Sequence, residues 1–359
     1  MMATQLHPND LVLNFDPSNP QDRFRKAGIK AATLSSAELL PDPVPWPSGF
    51  APTPAPLSVA PGEKDDLTRF QGYDAIIMTW TVAEATTLAT LMTPGYPITK
   101  WYQYRHNVQD YIPLVTGKDS AFNDQQSSMY YHSLGLYFPC KIGNANVLLF
   151  KSGLHLDDDG PQVPVSKLIA EIANAVSPGV FITTGTGGGI GSGVALGDVI
   201  IAGTTRFDCT TQFKKEPWCS ASYPTSPLPS GTLSAITPAL TKVNAARVKG
   251  GRTVPKIFSG SMATIVTTDF FGFDDSTDYY KLQGLGQACE MGDAMVGQTL
   301  AQLPAIKWYA IRNASDPQIP NPTNNISQAK KQAEQIYAQY GGLTTAASVI
   351  ASWAVVVSS

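Results

Sequence analysis

The sequence has no apolar run long enough to cross a bilayer, which takes roughly 18 residues or more. Its most apolar stretch, Ala346–Val357, is broken by Ser348, Ser352 and Trp353. That pattern predicts a buried C-terminal helix. The opening, Met1 to Leu13, has neither a charged leader nor an apolar segment after it, so no secretory signal is expected. Basic clusters are lacking too. With 25 Lys and Arg against 28 Asp and Glu, the formal net charge is −3. Such a surface offers no electrostatic footprint for nucleic acid and no patch for an anionic membrane. Cysteine is scarce. Cys140, Cys209, Cys219 and Cys289 form no CxxC pair and no Cys/His set with zinc spacing. Free thiols in a reducing cytoplasm are the expectation, although Cys209 and Cys219 flank a polar loop and leave a pairing open.

What is present is enough apolar residue, 43% of 359, to bury a large core. Residues 1–70 differ from the rest. Eight prolines fall between Pro41 and Pro61, which forbids helix and any mid-sheet strand. This stretch predicts an extended arm, followed by an α/β domain over 71–359. Tyr73–Thr79 is an apolar strand that leads into a helix over Val82–Met92. Asn146–Phe150 is a second strand, and Pro164–Val176 an amphipathic helix stopped by Ser177-Pro178-Gly179. Val180–Thr184 is a strand running into a glycine-dense turn, Gly185–Gly193. Asp198–Ala202, Lys256–Phe258 and Trp308–Arg312 follow as strands. Gln328–Tyr340 is a helix ended by Gly341-Gly342. Strands alternating with helices imply a three-layer α/β/α fold around a largely parallel sheet.

The glycine-dense segment is not a phosphate cradle. It lacks GxGxxG and a following GK[ST], and the next element is a strand, so no helix N-terminus faces a ligand. Taken with its neighbours, it resembles the nucleoside phosphorylase and nucleosidase superfamily. The resemblance rests on four motifs in the family's order over about residues 73–355. TTGTGGGIGSG is followed by Leu196-Gly197-Asp198. Phe150-Lys151-Ser152-Gly153 looks like a strand ending in Ser-Gly. Glu290-Met291 resembles the start of a Glu-Met-Glu segment. Arg312-Asn313-Ala314-Ser315-Asp316 resembles Arg-x-x-Ser-Asp. The resemblance implies a mixed central sheet, a homo-oligomer, and a small-molecule, nucleoside-like substrate handled without metal or organic cofactor.

It also implies roles. Breaking an N-glycosidic bond passes through an oxocarbenium-like state, and the leaving base is a poor anion, so a carboxylic acid must protonate it. Asp316 matches the family's acid, with Ser315 and Asn313 to orient it. It must stay protonated near neutral pH, so its surroundings should raise its pKa. The plain alternative is an Asp-Pro turn, since Pro317 follows. Hydrolytic members resembling methylthioadenosine nucleosidase place a glutamate early in the first helix, and Glu84 falls there. No Arg or Lys lies between Ile77 and Pro94, whereas phosphorolysis needs arginine for phosphate. Hydrolysis is therefore expected, with Glu84 holding water and Ser152 helping to position it. The alternatives are phosphorolysis or a repurposed pocket. Glu290 and Met291 are expected at the sugar, and Gly187 and Gly188 against the ligand. Phe270 and Phe271 are candidates for stacking on the base, and His155 and Arg206 for facing the pocket. One departure stands out: Gly292 occupies the position of the second Glu, which clamps the ribose hydroxyls in the family. Asp293 is the candidate replacement. The segments Trp101–Pro139 and Phe207–Ser230 are expected to shape the pocket mouth.

Overall fold

The computed structural model describes residues 44–117, 133–157, 159–240, 252 and 254–359. In chain order the elements are β1 (Pro52–Pro54), β2 (Ala75–Thr79), α1 (Val82–Met92), β3 (Tyr102–Tyr104), α2 (Val108–Tyr111), β4 (Gly135–Ile142), β5 (Ala145–Ser152) and α3 (Pro164–Val176). They continue with β6 (Val180–Gly189), β7 (Val199–Ile201), β8 (Thr204–Asp208), β9 (Ser222–Pro224), α4 (Thr232–Leu240), β10 (Ile257–Phe258), β11 (Thr264–Thr268), β12 (Ala288–Glu290), α5 (Asp293–Leu300), β13 (Lys307–Asp316) and α6 (Ile326–Ser358).

One mixed sheet runs β1-β4-β5-β2-β6-β12-β11-β8-β9, and β13 pairs with β6 and β7. Strand β6 is its axis. It lies parallel to β2 along its first half and parallel to β13 along its whole length. At its far end β2 has stopped, and β12 pairs antiparallel with Gly188 and Gly189. A crevice therefore opens past the carboxyl ends of β2, β6 and β13, the place where open α/β sheets bind ligands.

Each face of the sheet is covered. Ile77, Leu149, Ile182 and Ile311 pack under α1 and α6. Ile76, Leu148, Phe150 and Phe181 pack under α3 and α5. Strand β2 (AIIMT) is buried at every position, as a parallel strand covered on both faces must be. The structure is thus the three-layer α/β/α fold with a mixed central sheet.

Two elements run further than the sequence pattern predicts. The glycine-dense segment is strand as far as Gly189, because β13, β2 and β12 between them hydrogen-bond its backbone. Gly341-Gly342 does not end the last helix, which continues to Ser358. Thr345 Oγ1 donates to the Gly341 carbonyl at 2.7 Å, and the following turns bury Ala346, Val349, Ile350 and Trp353 against the sheet. Tertiary packing overrides the glycine penalty there. Contrary to the expectation that no segment is long and apolar enough to span a bilayer, this helix is so by length and composition, but 78% of its most apolar window is buried in the protein. It is a core helix. The proline-rich stretch places Pro52-Thr53-Pro54 at a sheet edge, antiparallel to β4, the sheet position that tolerates proline. Trp46 packs on Trp353 with ring centroids 4.9 Å apart. Leu67 and Phe70 are fully buried.

Candidate active site

A pocket enclosing about 510 Å³ of space, part of it open to solvent, occupies the crevice. Its wall draws Trp80 and Thr81 from just past β2, Thr186 to Gly188 from β6, Glu290 from β12 and Asp316 from β13.

Glu84 opens α1 in a capping box. Thr81 Oγ1 accepts from the Glu84 N–H, and the Glu84 carboxylate accepts from the Thr81 N–H. The same oxygen, Oε2, accepts from Thr79 Oγ1 at 2.7 Å and from the Trp80 N–H at 3.1 Å. Oε1 accepts from the backbone N–H and the hydroxyl of Thr186, both at 2.7 Å. Burial disfavours the charge, but Arg312 and these donors outweigh it and hold the carboxyl below its usual range. The backbone passes so close that a Cβ on Gly185 would collide with this carboxylate, which is why glycine stands there.

Arg312 is buried among three carboxylates. Its Nε and NH2 donate to Asp293 Oδ2 and Oδ1 at 2.8 and 2.6 Å. NH1 lies 3.5 Å from Glu84 Oε1, and NH2 lies 3.3 Å from Glu290 Oε2. Glu290 accepts from Thr267 Oγ1 at 2.5 Å, from the Gly292 N–H at 2.6 Å and from the Asp293 N–H at 3.0 Å. Burial and the neighbouring Asp293 push its pKa up, against the pull of Arg312.

Asp316 sits where the register of β13 against β6 slips between Ala314 and Asp316. The bulge breaks the strand's alternation, so Ser315 and Asp316 both line the cavity. Ser315 Oγ donates to Asp316 Oδ1 at 2.9 Å, while Oδ2 is buried without a partner among the described residues. Desolvation pushes the pKa up to about 7. A Cβ on Gly188 would lie 3.1 Å from Oδ2, so glycine leaves that oxygen open. Asp316 is not spent on an Asp-Pro turn.

Asp316, Ser315, Glu84, Glu290, Met291, Gly187, Gly188, Phe271 and His155 all line the cavity. Ser152 does not. Its hydroxyl donates to the Leu154 carbonyl at 2.7 Å and accepts the Leu154 N–H at 3.1 Å, closing a local turn. Asp293 lies off the cavity wall and gives both its oxygens to Arg312. Asn313 alternates to the opposite face of β13 and accepts from Ser348 Oγ on α6. Phe270 packs on Tyr280 instead, with ring centroids 4.8 Å apart. Arg206 lies on β8, opposite Ser222 and away from the cavity wall. No described residue of 101–139 or 207–230 lines the cavity; residues 118–132 lie outside the described residues. Trp80, Thr186, Cys289, Arg312 and Tyr337 line it as well. Arg312 stood in a recognised motif and Trp80 beside Glu84, whereas nothing in the sequence marks Tyr337, which comes from α6. All four cysteines are free thiols. Among the described residues no His/Cys/Asp/Glu cluster could hold a metal ion.

Residues 120–341 match the sequence model of the phosphorylase superfamily. The chain belongs to that superfamily. Among solved structures, it resembles a 5′-methylthioadenosine/S-adenosylhomocysteine nucleosidase from Colwellia psychrerythraea in complex with adenine. The identity is 16%, the TM-score 0.51, and the match covers 80% of this chain and 96% of that one. Futalosine hydrolase of Helicobacter pylori matches at 12% identity and TM-score 0.50, over 80% of this chain and 98% of that one. Both likenesses are of fold. No curated protein matches the sequence significantly.

Proposed function

We propose that this superfamily member hydrolyses the N-glycosidic bond of a nucleoside-like substrate. The observation that carries this reading is the charge around Arg312. It is the one Lys or Arg among the described residues lining the cavity, and it is chelated by Asp293 and flanked by Glu84 and Glu290. A phosphate dianion would meet an excess of carboxylate there, whereas water meets hydrogen-bond acceptors. The solved relatives of similar fold are a nucleosidase and a hydrolase by name.

In this reading the leaving base lies against Asp316 and the sugar against Met291. As the C1′–N bond stretches, its electron pair goes to the base and Asp316 donates its proton to a base ring nitrogen. A pKa near 7 keeps that proton available at neutral pH. Water adds to C1′ of the oxocarbenium-like sugar. It becomes strongly acidic as the new C–O bond forms, so its proton passes to ionised Glu84 although that carboxylate is a weak base. Exchange with solvent returns both groups to their starting states. Arg312 and Thr186 hold Glu84 in place. Ser315 orients Asp316.

The test is base release from a panel of purine and pyrimidine nucleosides by the purified protein without phosphate. Release of free base from at least one is the expected result. A protein that binds nucleosides and releases no base under any condition would be a binding member of the superfamily.

A further inference from the structure

Cys209 and Cys219 oppose each other at the end of an antiparallel pair. Strands β8 and β9 pair Thr204 with Pro224, Thr205 with Tyr223 and Arg206 with Ser222. Two further hydrogen bonds carry the same register beyond the ladder. The Phe207 N–H donates to the Ala221 carbonyl at 2.9 Å, and the Cys209 N–H donates to the Cys219 carbonyl at 3.0 Å. Directly opposed residues in such a pair have Cα atoms about 5.5 Å apart and side chains on one face. A disulfide spans roughly 4.4–6.8 Å between Cα atoms. Packing shows the shared face. Phe207 and Cys209 belong to the core on the α3 and α5 side of the sheet, and Ala221 and Cys219 opposite them pack against that same core. Burial pushes the Cys209 thiol up, and Asp269 and the nearby Cys219 add to it. Cys209 is buried and Cys219 half-buried, so the pair can be reached from solvent through Cys219.

The loop between the two cysteines is tied to the cavity wall through one residue. Asp269, buried just past β11, accepts from the N–H groups of Thr210, Thr211 and Phe213 at 2.9, 3.1 and 2.8 Å. Its carbonyl accepts from Thr211 Oγ1 at 2.8 Å. Two residues further on, Phe271 lines the cavity. Asp269 thus fixes the start of the loop, and the cysteines stand opposite each other before any bond joins them.

We propose that Cys209 and Cys219 are a redox couple whose disulfide locks the loop that Asp269 joins to the cavity wall. The oxidant is a low-molecular-weight disulfide. Cys219, as its thiolate, attacks one sulfur of that compound; a mixed disulfide forms and one thiolate leaves. Cys209 gives its proton to solvent and attacks Cys219 Sγ, and the second thiolate leaves. The two protein thiols lose two protons and two electrons, and the oxidant becomes two thiols. The new bond constrains the unfolded chain between the two cysteines, so the oxidised protein is the more stable one.

The test incubates the intact reduced chain with glutathione disulfide, alkylates the remaining thiols and maps tryptic peptides without reduction. Lys214 and Lys215 lie between the cysteines, so trypsin separates them and the bond appears as two peptides joined until reduced. A Cys209–Cys219 crosslink is the expected result, with Cys140 and Cys289 left as thiols. The oxidised protein should also melt at a higher temperature than the reduced protein, as followed by circular dichroism. Cys219→Ser should abolish both the crosslink and the shift. Glutathione retained on Cys219 beside a Cys209 that still alkylates would overturn the proposal, as would alkylation of both cysteines. A crosslink that leaves the thermal midpoint unchanged would overturn the locking of the loop. The peptide map of the wild-type chain decides the pairing even if Cys219→Ser fails to fold.

Discussion

In the proposed mechanism, Asp316 is the residue on which rate depends most. Asp316→Asn keeps the shape and removes the transferable proton, and losing a general acid costs on the order of 10²–10⁴ in rate. A folded variant with that loss in kcat and near-normal nucleoside binding is expected; undiminished turnover would remove Asp316 from the mechanism. The pH dependence follows from the same carboxyl. Its folded pKa is about 7, so kcat/KM should fall as pH rises through that value. Stability moves with it. The unfolded carboxyl ionises near its ordinary 3.8, the folded one near 7, so the native state holds the extra proton between them. Stability therefore declines with rising pH across that window, and Asp316→Asn should flatten the slope. Urea midpoints taken across the window check this. The motif Arg-x-x-Ser-Asp made Ser315 and Asp316 legible in sequence. It could not reveal the bulge that turns both inward, nor that Asp293 is committed to Arg312. Ser152 was misleading for a similar reason: a serine at a strand end is equally suited to satisfying its own turn.

At the scale of elements, the first turn of α1 joins folding to the site. The cap that starts the helix is also what positions Glu84. Thr81→Ala removes the hydroxyl that accepts the Glu84 N–H, a loss of about 1 kcal/mol of stability. Chemical denaturation should show that loss, and kcat should fall as well because Glu84 is less firmly held. A variant with lowered stability and unaltered kcat would show that the cap serves only the helix. Helices α1 and α3 were legible because capping, apolar spacing and stop signals agree there. Strand β6 and helix α6 were legible only in part. In both, glycines that ordinarily end an element lie inside it, and contacts from distant chain segments decide. Strands β1, β3, β4, β8, β9, β11 and β12 are not legible in the sequence, and all but β4 are short strands placed by their neighbours.

For the whole molecule, the sheet and its two covering layers follow from alternating apolar segments, while the role of the proline-rich stretch depends on contacts remote in sequence. Trp353 Nε1 donates to the Phe50 carbonyl at 2.8 Å, and Trp46 covers the same indole. Deleting residues 1–60 should leave the α/β sheet folded with a lower thermal midpoint, as followed by circular dichroism; an unchanged midpoint would mean these contacts contribute nothing. The whole site likewise depends on charge gathered from distant strands: Glu84 after β2, Glu290 on β12, Asp293 on α5 and Arg312 on β13. Their sum is the basis for placing water, not phosphate, at the anomeric carbon. The decisive measurement is the identity of the sugar product, followed by phosphorus and proton NMR, as inorganic phosphate is raised in a reaction with a cleaved nucleoside. Free sugar at a rate independent of phosphate is the predicted result. A sugar 1-phosphate signal growing with phosphate would contradict the hydrolytic account.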